Sequence, residues 1–85
     1  MLSIKSLGQC WKEISSSETH TLAILNNGTL WAWGQNNQGQ LGDGTTIDRN
    51  SPVQIGFSSD WEKIEAGGLH SLAIKSDGTL WGWGY

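Results

Sequence analysis

His20 and His70 are the only histidines, and histidine is the side chain best suited to act as a base or metal ligand near neutral pH. Neither sits in a Ser-His-Asp or Cys-His constellation that its spacing would support. The single cysteine, Cys10, excludes an internal disulfide, and with two histidines it makes no metal cage of familiar spacing. Asp43, Asp48 and Asn50 offer oxygen ligands, but their intervals match no calcium-binding loop. The run Gly39-Gln40-Leu41-Gly42-Asp43-Gly44 has the glycines of a phosphate cradle without the following Lys-Ser/Thr, and it opens no helix. It reads as a loop held by its own turns. No pair of carboxylates stands out for acid–base work. The residues therefore point away from catalysis and cofactors and toward surfaces.

Composition narrows this further. Five basic against eight acidic residues give a net charge of −3, which leaves no electrostatic footprint for nucleic acid. No apolar run approaches the ~20 residues of a membrane span, and Met1 to Cys10 lacks the apolar core of a signal peptide. That, with a free cysteine, is compatible with the cytoplasm. Eighty-five residues make at most one small domain, with a core that is marginal without staples or partners. Six tryptophans supply the large apolar surfaces that argue against disorder.

An internal repeat organises the chain. A shift of 50 superposes residues 11–34 on 61–84, with twelve of 24 positions identical and no gap. Trp11, Ile14, His20, Leu22-Ala23-Ile24, Gly28-Thr29-Leu30-Trp31 and Trp33-Gly34 all recur. The two histidines are thus repeat equivalents, as a hydrogen-bonding role required once per unit would demand.

The pattern within each repeat is β. Thr21 to Leu25 and Ser71 to Lys75 are strand-prone, and each runs into a turn signal, Asn27-Gly28 or Asp77-Gly78. These predict type I′ hairpins returning as Thr29 to Gln35 and Thr79 to Tyr85. Asn27-Gly28-Thr29 is formally a glycosylation sequon, read here as turn chemistry. Trp11 to Ser15 and Trp61 to Glu65 add a strand per repeat, and Pro52 to Ile55 with Ser3 to Leu7 complete eight strands, two sets of four. Alternation places Leu22 and Ile24 opposite Ala23, and Trp31 and Trp33 opposite Leu30 and Ala32. Both faces are therefore apolar, as in a sheet packed between two neighbours. The small residues Ala23, Ala32, Ala73 and Gly82 suit close approach of sheets near a central axis.

The run Trp33-Gly34-Gln35-Asn36-Asn37-Gln38-Gly39-Gln40-Leu41-Gly42-Asp43-Gly44-Thr45, followed by Pro52-Val53, resembles the signature of regulator of chromosome condensation repeats. So does Ala66-Gly67-Gly68-Leu69-His70-Ser71-Leu72-Ala73-Ile74 followed by Asp77-Gly78 and Trp83-Gly84. The likeness covers roughly residues 11–85 and is closest in flavour to prokaryotic members. It implies β-propeller blades of four antiparallel strands, most often seven to a ring. One departure is local: Ser16-Ser17-Glu18 stands where the second copy has Ala66-Gly67-Gly68, so a bend relying on glycine would have to be made differently. The other is length, since 85 residues supply two blades, a single segment of repeats at about 11–60 and 61–85 plus the strand at 3–7.

Two blades leave broad apolar faces open, so the chain is expected to close a ring with copies of itself, preferably as a trimer or tetramer. A fragment of a longer propeller is the alternative, and so is a purely structural building block with no ligand of its own. The tryptophan pairs read as packing rather than as sugar- or light-sensing groups. The light-sensing use of clustered tryptophans within the family goes with a Trp-Arg-His-Thr run, and Gly68-Leu69-His70-Ser71 stands here instead. Exchange-factor and β-lactamase-inhibitor activities occur in the family, but their contacting loops are not recognisable in this chain. Cys10 is expected to be a small buried hydrophobe. Any contact with another protein is expected in the loop from Asn36 to Asn50, through Asn37, Gln38, Asp43, Thr45, Thr46, Asp48 and Arg49.

Overall fold

A computed structural model describes residues 10–85, which form seven strands and no helix. Strands β1 (Trp11–Ser16), β2 (His20–Leu25), β3 (Leu30–Gly34) and β4 (Arg49–Gln54) make one antiparallel sheet in chain order. Strands β5 (Trp61–Ala66), β6 (His70–Lys75) and β7 (Leu80–Gly84) make a second. The expected strand at Ser3 to Leu7 lies outside the described residues. Strand β4 starts at Arg49, earlier than the expected Pro52, because Gly34 pairs with Arg49 across an irregularity after Ala32. Its Pro52 is tolerated because β4 is an edge strand, where a missing N–H disrupts no ladder.

The hairpins differ from the expected type I′ form. Positive φ is confined to glycine, 85° at Gly28 and 88° at Gly78, so Asn27 and Asp77 keep ordinary backbone angles. The Gly28 amide donates to the Leu25 carbonyl (2.9 Å) and the Leu25 amide to the Thr29 carbonyl (3.0 Å). That is the three-residue loop in which a turn is followed by a left-handed glycine. Side chains select it. The Asn27 Oδ1 accepts from both the Thr29 amide (3.1 Å) and hydroxyl (2.6 Å), and the Trp31 indole donates to Thr29 Oγ1 (2.9 Å). Asp77, Thr79 and Trp81 repeat the arrangement. The Thr79 hydroxyl and amide hold the Asp77 carboxyl below its ordinary pKa.

The bend before each histidine is also shared. Ser17 and Gly67 both donate their amides to the following histidine carbonyl at 2.9 Å, and neither Gly67 nor Gly68 has a positive φ. The Ser17 hydroxyl accepts from the Thr19 amide (3.3 Å), doing with a side chain what needs none in the second copy. Glycine at 67 answers a different need, because a Cβ there would overlap the His70 ring. Cys10 is exposed, not buried as expected: it precedes β1 and contributes its carbonyl to the Asn26 amide (2.9 Å), which leaves the thiol at the rim.

The two sheets stack face to face. Leu22, Ile24, Leu30 and Ala32 of the first sheet, none of them exposed, form the core with Leu41, Ile55, Trp61 and Ala73. Ile64, Ala66 and Trp83 pack against that cluster. On the outer face of the first sheet and on the seam face of the second, tryptophans meet across the second strand. Trp11 and Trp31 stand edge-on at 6.4 Å and 75°, and Trp61 and Trp81 at 6.2 Å and 77°. The small Ala23 and Ala73, opposite Trp31 and Trp81 in register, leave room for those rings. Where the first sheet has Leu25, the second has Lys75, whose Nζ lies 5.0 Å from the Trp61 ring centroid and 4.7 Å from that of Trp81.

Gly28 differs from its equivalent in one respect. A Cβ at Gly28 would overlap the Ser59 carbonyl, whereas the space beside Gly78 is open. The Gly28→Ala substitution is therefore expected to cost more than the ~1 kcal/mol that a left-handed alanine alone costs at Gly78→Ala. Chemical denaturation of the two variants side by side measures the difference.

Candidate functional site

Two polar constructions stand out against this apolar stacking. The first crosses the seam between the sheets. The sequence puts His20 at the first position of β2, and register places it opposite Gly34, whose lack of a side chain leaves room for the His20 backbone and Cβ. The ring reaches across to β6, where Nε2 lies 2.7 Å from Ser71 Oγ. The Ser71 hydroxyl donates to the Gln40 carbonyl (2.6 Å). His20, Ser71 and Gln40 are all buried, so one chain of hydrogen bonds joins β2, β6 and the long loop. At the other end of the ring, Nδ1 lies 2.8 Å from Thr19 Oγ1, which also reaches the Gly68 carbonyl.

Counting protons fixes one end of the ring. The Ser71 hydroxyl proton is committed to a buried carbonyl, so His20 Nε2 must carry a proton to satisfy Ser71 Oγ. The Thr19 hydroxyl has one proton and two acceptors within reach, the Gly68 carbonyl and, in a neutral ring, Nδ1. Burial pushes the His20 pKa below its ordinary 6.5; the His70 backbone opposes this and the His70 charge adds to it. His20 thus serves structure as the tie between the sheets, while its repeat equivalent His70 is exposed.

The seam is reinforced along the β1–β5 edge. Glu13 Oε1 accepts from the Ile64 amide (2.9 Å), and Ser15 Oγ accepts from the Ala66 amide (3.0 Å). At the hairpin end the Trp61 amide donates to the Gly28 carbonyl (3.1 Å).

The second construction is the loop from Asn36 to Asn50, where the seven candidate residues lie. Its centre is Asn36, which is fully buried. The Asn36 Nδ2 is within donating distance of Asp43 Oδ1 (3.0 Å) and of the carbonyls of Thr45 (3.1 Å) and Ile47 (3.0 Å). The Asn36 Oδ1 accepts from the Leu41 amide (3.0 Å), and the Asp48 carboxylate caps the Asn36 amide (2.7 Å). Asp43 is the second hub. Its Oδ1 takes the Thr45 amide (3.0 Å) and hydroxyl (2.8 Å), and its Oδ2 takes Arg49 Nε (3.0 Å). Asp43, Thr45, Asp48 and Arg49 are therefore gathered into an internal clasp. Asn37, Gln38 and Thr46 remain exposed beside it, with Gln40 Oε1 accepting from the Gln38 amide (2.8 Å).

Asn36 and Gln40 escaped the sequence reading. An asparagine before a glycine-rich stretch carries the two-way amide that such a loop needs, and that was the available signal. The loop also wedges the seam. Leu41 is fully buried in the core, and a Cβ at Gly42 would stand 2.6 Å from Trp83 Nε1. Among the described residues no cluster of three or more His, Cys, Asp or Glu side chains could hold a metal.

Burial alone would raise the Asp43 pKa, but hydrogen bonds from the Thr45 hydroxyl and amide, Asn36 and Arg49 outweigh it and lower it to about 2. A carboxyl below its unfolded value stabilises the fold above that value and loses the contribution as pH falls toward 2. Asp43→Ala is expected to lower stability by about 2 kcal/mol at neutral pH, since it orphans buried donors. The deficit should shrink as pH drops from about 4 to 2, measured by denaturation at several pH values. His20 has the related sign: its contribution is present above 6.5 and is lost as pH falls through its lowered pKa. Imidazole NMR titration is expected to place its midpoint below 6.5, and below that of His20 in unfolded chain.

Comparison with known proteins bears on both constructions. A family model for the regulator of chromosome condensation (RCC1) repeat matches residues 27–74, and a second matches residues 11–40. The chain is 44 % identical over 48 residues to the ultraviolet-B receptor UVR8 of Arabidopsis thaliana, covering 56 % of this chain and 11 % of that protein. It is 43 % identical over 54 residues to the protein RCC2 homolog of Xenopus laevis, covering 61 % of this chain and 10 % of that protein. The structure of human WBSCR16 superposes with a TM-score of 0.85 at 24 % identity, over 95 % of this chain and 21 % of the other. Yeast RCC1 (Prp20), in its structure with Kap60, superposes at 0.82 and 20 % identity, over 99 % and 21 %. The chain thus spans about a tenth of the curated relatives' length and about a fifth of the solved structures'. Its two sheets are β-propeller blades, and with a repeat model spanning the long loop, the second tryptophan-bearing strand and the His70 repeat, the chain belongs to the regulator of chromosome condensation (RCC1) repeat family.

Proposed function

We propose that this chain is a non-enzymatic pair of propeller blades that binds proteins, in the first instance further copies of itself. One observation carries the reading. Ile24 and Leu30 are sealed at 0 % exposure by the second blade, while their equivalents Ile74 and Leu80 are 38 % and 65 % exposed. A face built like a sealed one and left open is a docking surface. In repeat folds each unit contacts only its neighbours, so a unit from another chain can stand in for a covalent neighbour.

The repeats at about 11–60 and 61–85 act as one segment in this reading. Three or four chains would give six or eight blades, within the usual propeller range of about four to eight. The exposed loop residues Asn37, Gln38 and Thr46 then lie at the rim, where another protein could be met. Support for that second surface comes from the family: yeast RCC1 has been solved bound to Kap60, and the same protein has been studied for binding to Gsp1p and histones.

Size-exclusion chromatography with light scattering across a dilution series tests the proposal. The expected result is a mass of three or four chains that persists on dilution. A monomer at all concentrations overturns self-assembly, and a stable dimer overturns the ring arithmetic.

A further inference from the structure

The seam inside the chain is itself a template for a contact between chains. It joins one face of the first blade (Glu13, Ser15, His20, Leu22, Ile24, Leu30) to the opposite face of the second (Trp61, Ile64, Ala66, Ser71, Ala73, Trp83). Shifted by 50 residues, the first set becomes the open face of the second blade: Lys63, Glu65, His70, Leu72, Ile74 and Leu80. Shifted back by 50, the second set becomes the open face of the first: Trp11, Ile14, Ser16, Thr21, Ala23 and Trp33. Both halves of a second seam are thus present in one chain, and among the described residues no sheet covers either.

Their shapes agree. The open face of the second blade holds a groove of about 220 Å³ whose lining includes Lys63, Glu65, Leu72, Ile74 and Leu80. In the sealed blade the corresponding Leu22, Ile24 and Leu30 are covered by the cluster that includes Ile64. The equivalent of Ile64 is Ile14, which stands 45 % exposed on the edge strand β1. We infer that Ile14 of one chain seats in the Leu72–Ile74–Leu80 groove of a second copy, head to tail, in the register of the internal seam. This rests on the self-assembly reading above and gives it an interface.

The polar positions add detail. His70 of one copy meets Thr21 of the next, a hydroxyl in the place where His20 meets Ser71. Glu65 stands where Ser15 accepts an amide, and its carboxylate accepts from the Ser16 amide of the next copy. Leu69 stands where the Thr19 hydroxyl reaches the Gly68 carbonyl, and it has no hydroxyl to give. Lys63 is a second mismatch. It stands where Glu13 accepts the Ile64 amide, and an ammonium has no lone pair to accept the Ile14 amide. The interchain seam therefore lacks at least two hydrogen bonds that the internal seam has.

A heterologous contact of this kind makes a test that an isologous one fails. Ile14→Glu spoils the insert and leaves the groove, while Leu80→Glu spoils the groove and leaves the insert. Both residues are exposed, and circular dichroism checks that both variants fold. Each variant alone is expected to be monomeric by light scattering, and an equimolar mixture to give a 1:1 dimer that grows no further. Lys63→Glu is expected to tighten assembly by at least tenfold, although it adds like charge to an acidic chain. If the wild type assembles and both variants assemble equally well, or if the variants are monomeric and their mixture stays so, this register is wrong while self-assembly stands. A wild type that is monomeric throughout overturns both.

Discussion

Everything in this small fold depends on pressing two sheets together through one dry face. Neither sheet has a core of its own. The first contributes Leu22, Ile24, Leu30 and Ala32, the second Trp61 and Ala73, and the loop Leu41. At about 25 cal/mol per Å² of apolar surface, burial of this kind is the main favourable contribution available. It also creates the difficulty that the polar ties resolve, because strand edges and loop backbone are carried into the same seam. Glu13, Ser15, His20 and Ser71 meet the amides and carbonyls that packing would otherwise leave without partners. Apolar burial supplies the attraction and the polar ties set the register.

The architecture was legible to the extent that it was periodic. A shift of 50 exposed the repeat, alternation exposed two apolar faces, and Asn27-Gly28 and Asp77-Gly78 marked hairpins. The hairpin type was not legible, because a residue two positions beyond the asparagine decides it. The Thr29 amide and hydroxyl both bind Asn27 Oδ1 and keep that residue out of the left-handed region. Nor was the exposure of Cys10, since residue type says nothing of a position just outside the first strand.

The loop from Asn36 to Asn50 shows the same limit from the other side. Its polar composition resembles that of a free binding rim, and on that basis its seven candidate residues read as contacts. In three dimensions Asp43, Thr45, Asp48 and Arg49 turn inward on Asn36 and on one another. Polarity marks a loop as solvated only when its own backbone does not need the groups. Here the buried carbonyls and amides around Asn36 do need them, and contacts twelve residues apart along the chain, such as Asn36 with Asp48, leave no local pattern.

The distance along the chain between the two halves of the seam sets a timetable for synthesis. His20 and Ser71 are separated by 51 positions. At about 5–20 residues per second, roughly 3–10 s pass between the emergence of one and the other. During that interval the face of Leu22, Ile24 and Leu30 is finished but uncovered. The second repeat of a neighbouring nascent chain offers the same cover, with half of its aligned positions identical to the first. Polysome crowding thus favours exchange of repeats between chains, and domain swapping is a characteristic fate of repeat proteins. The seam that makes the molecule also gives each ribosome's product a competitor for it.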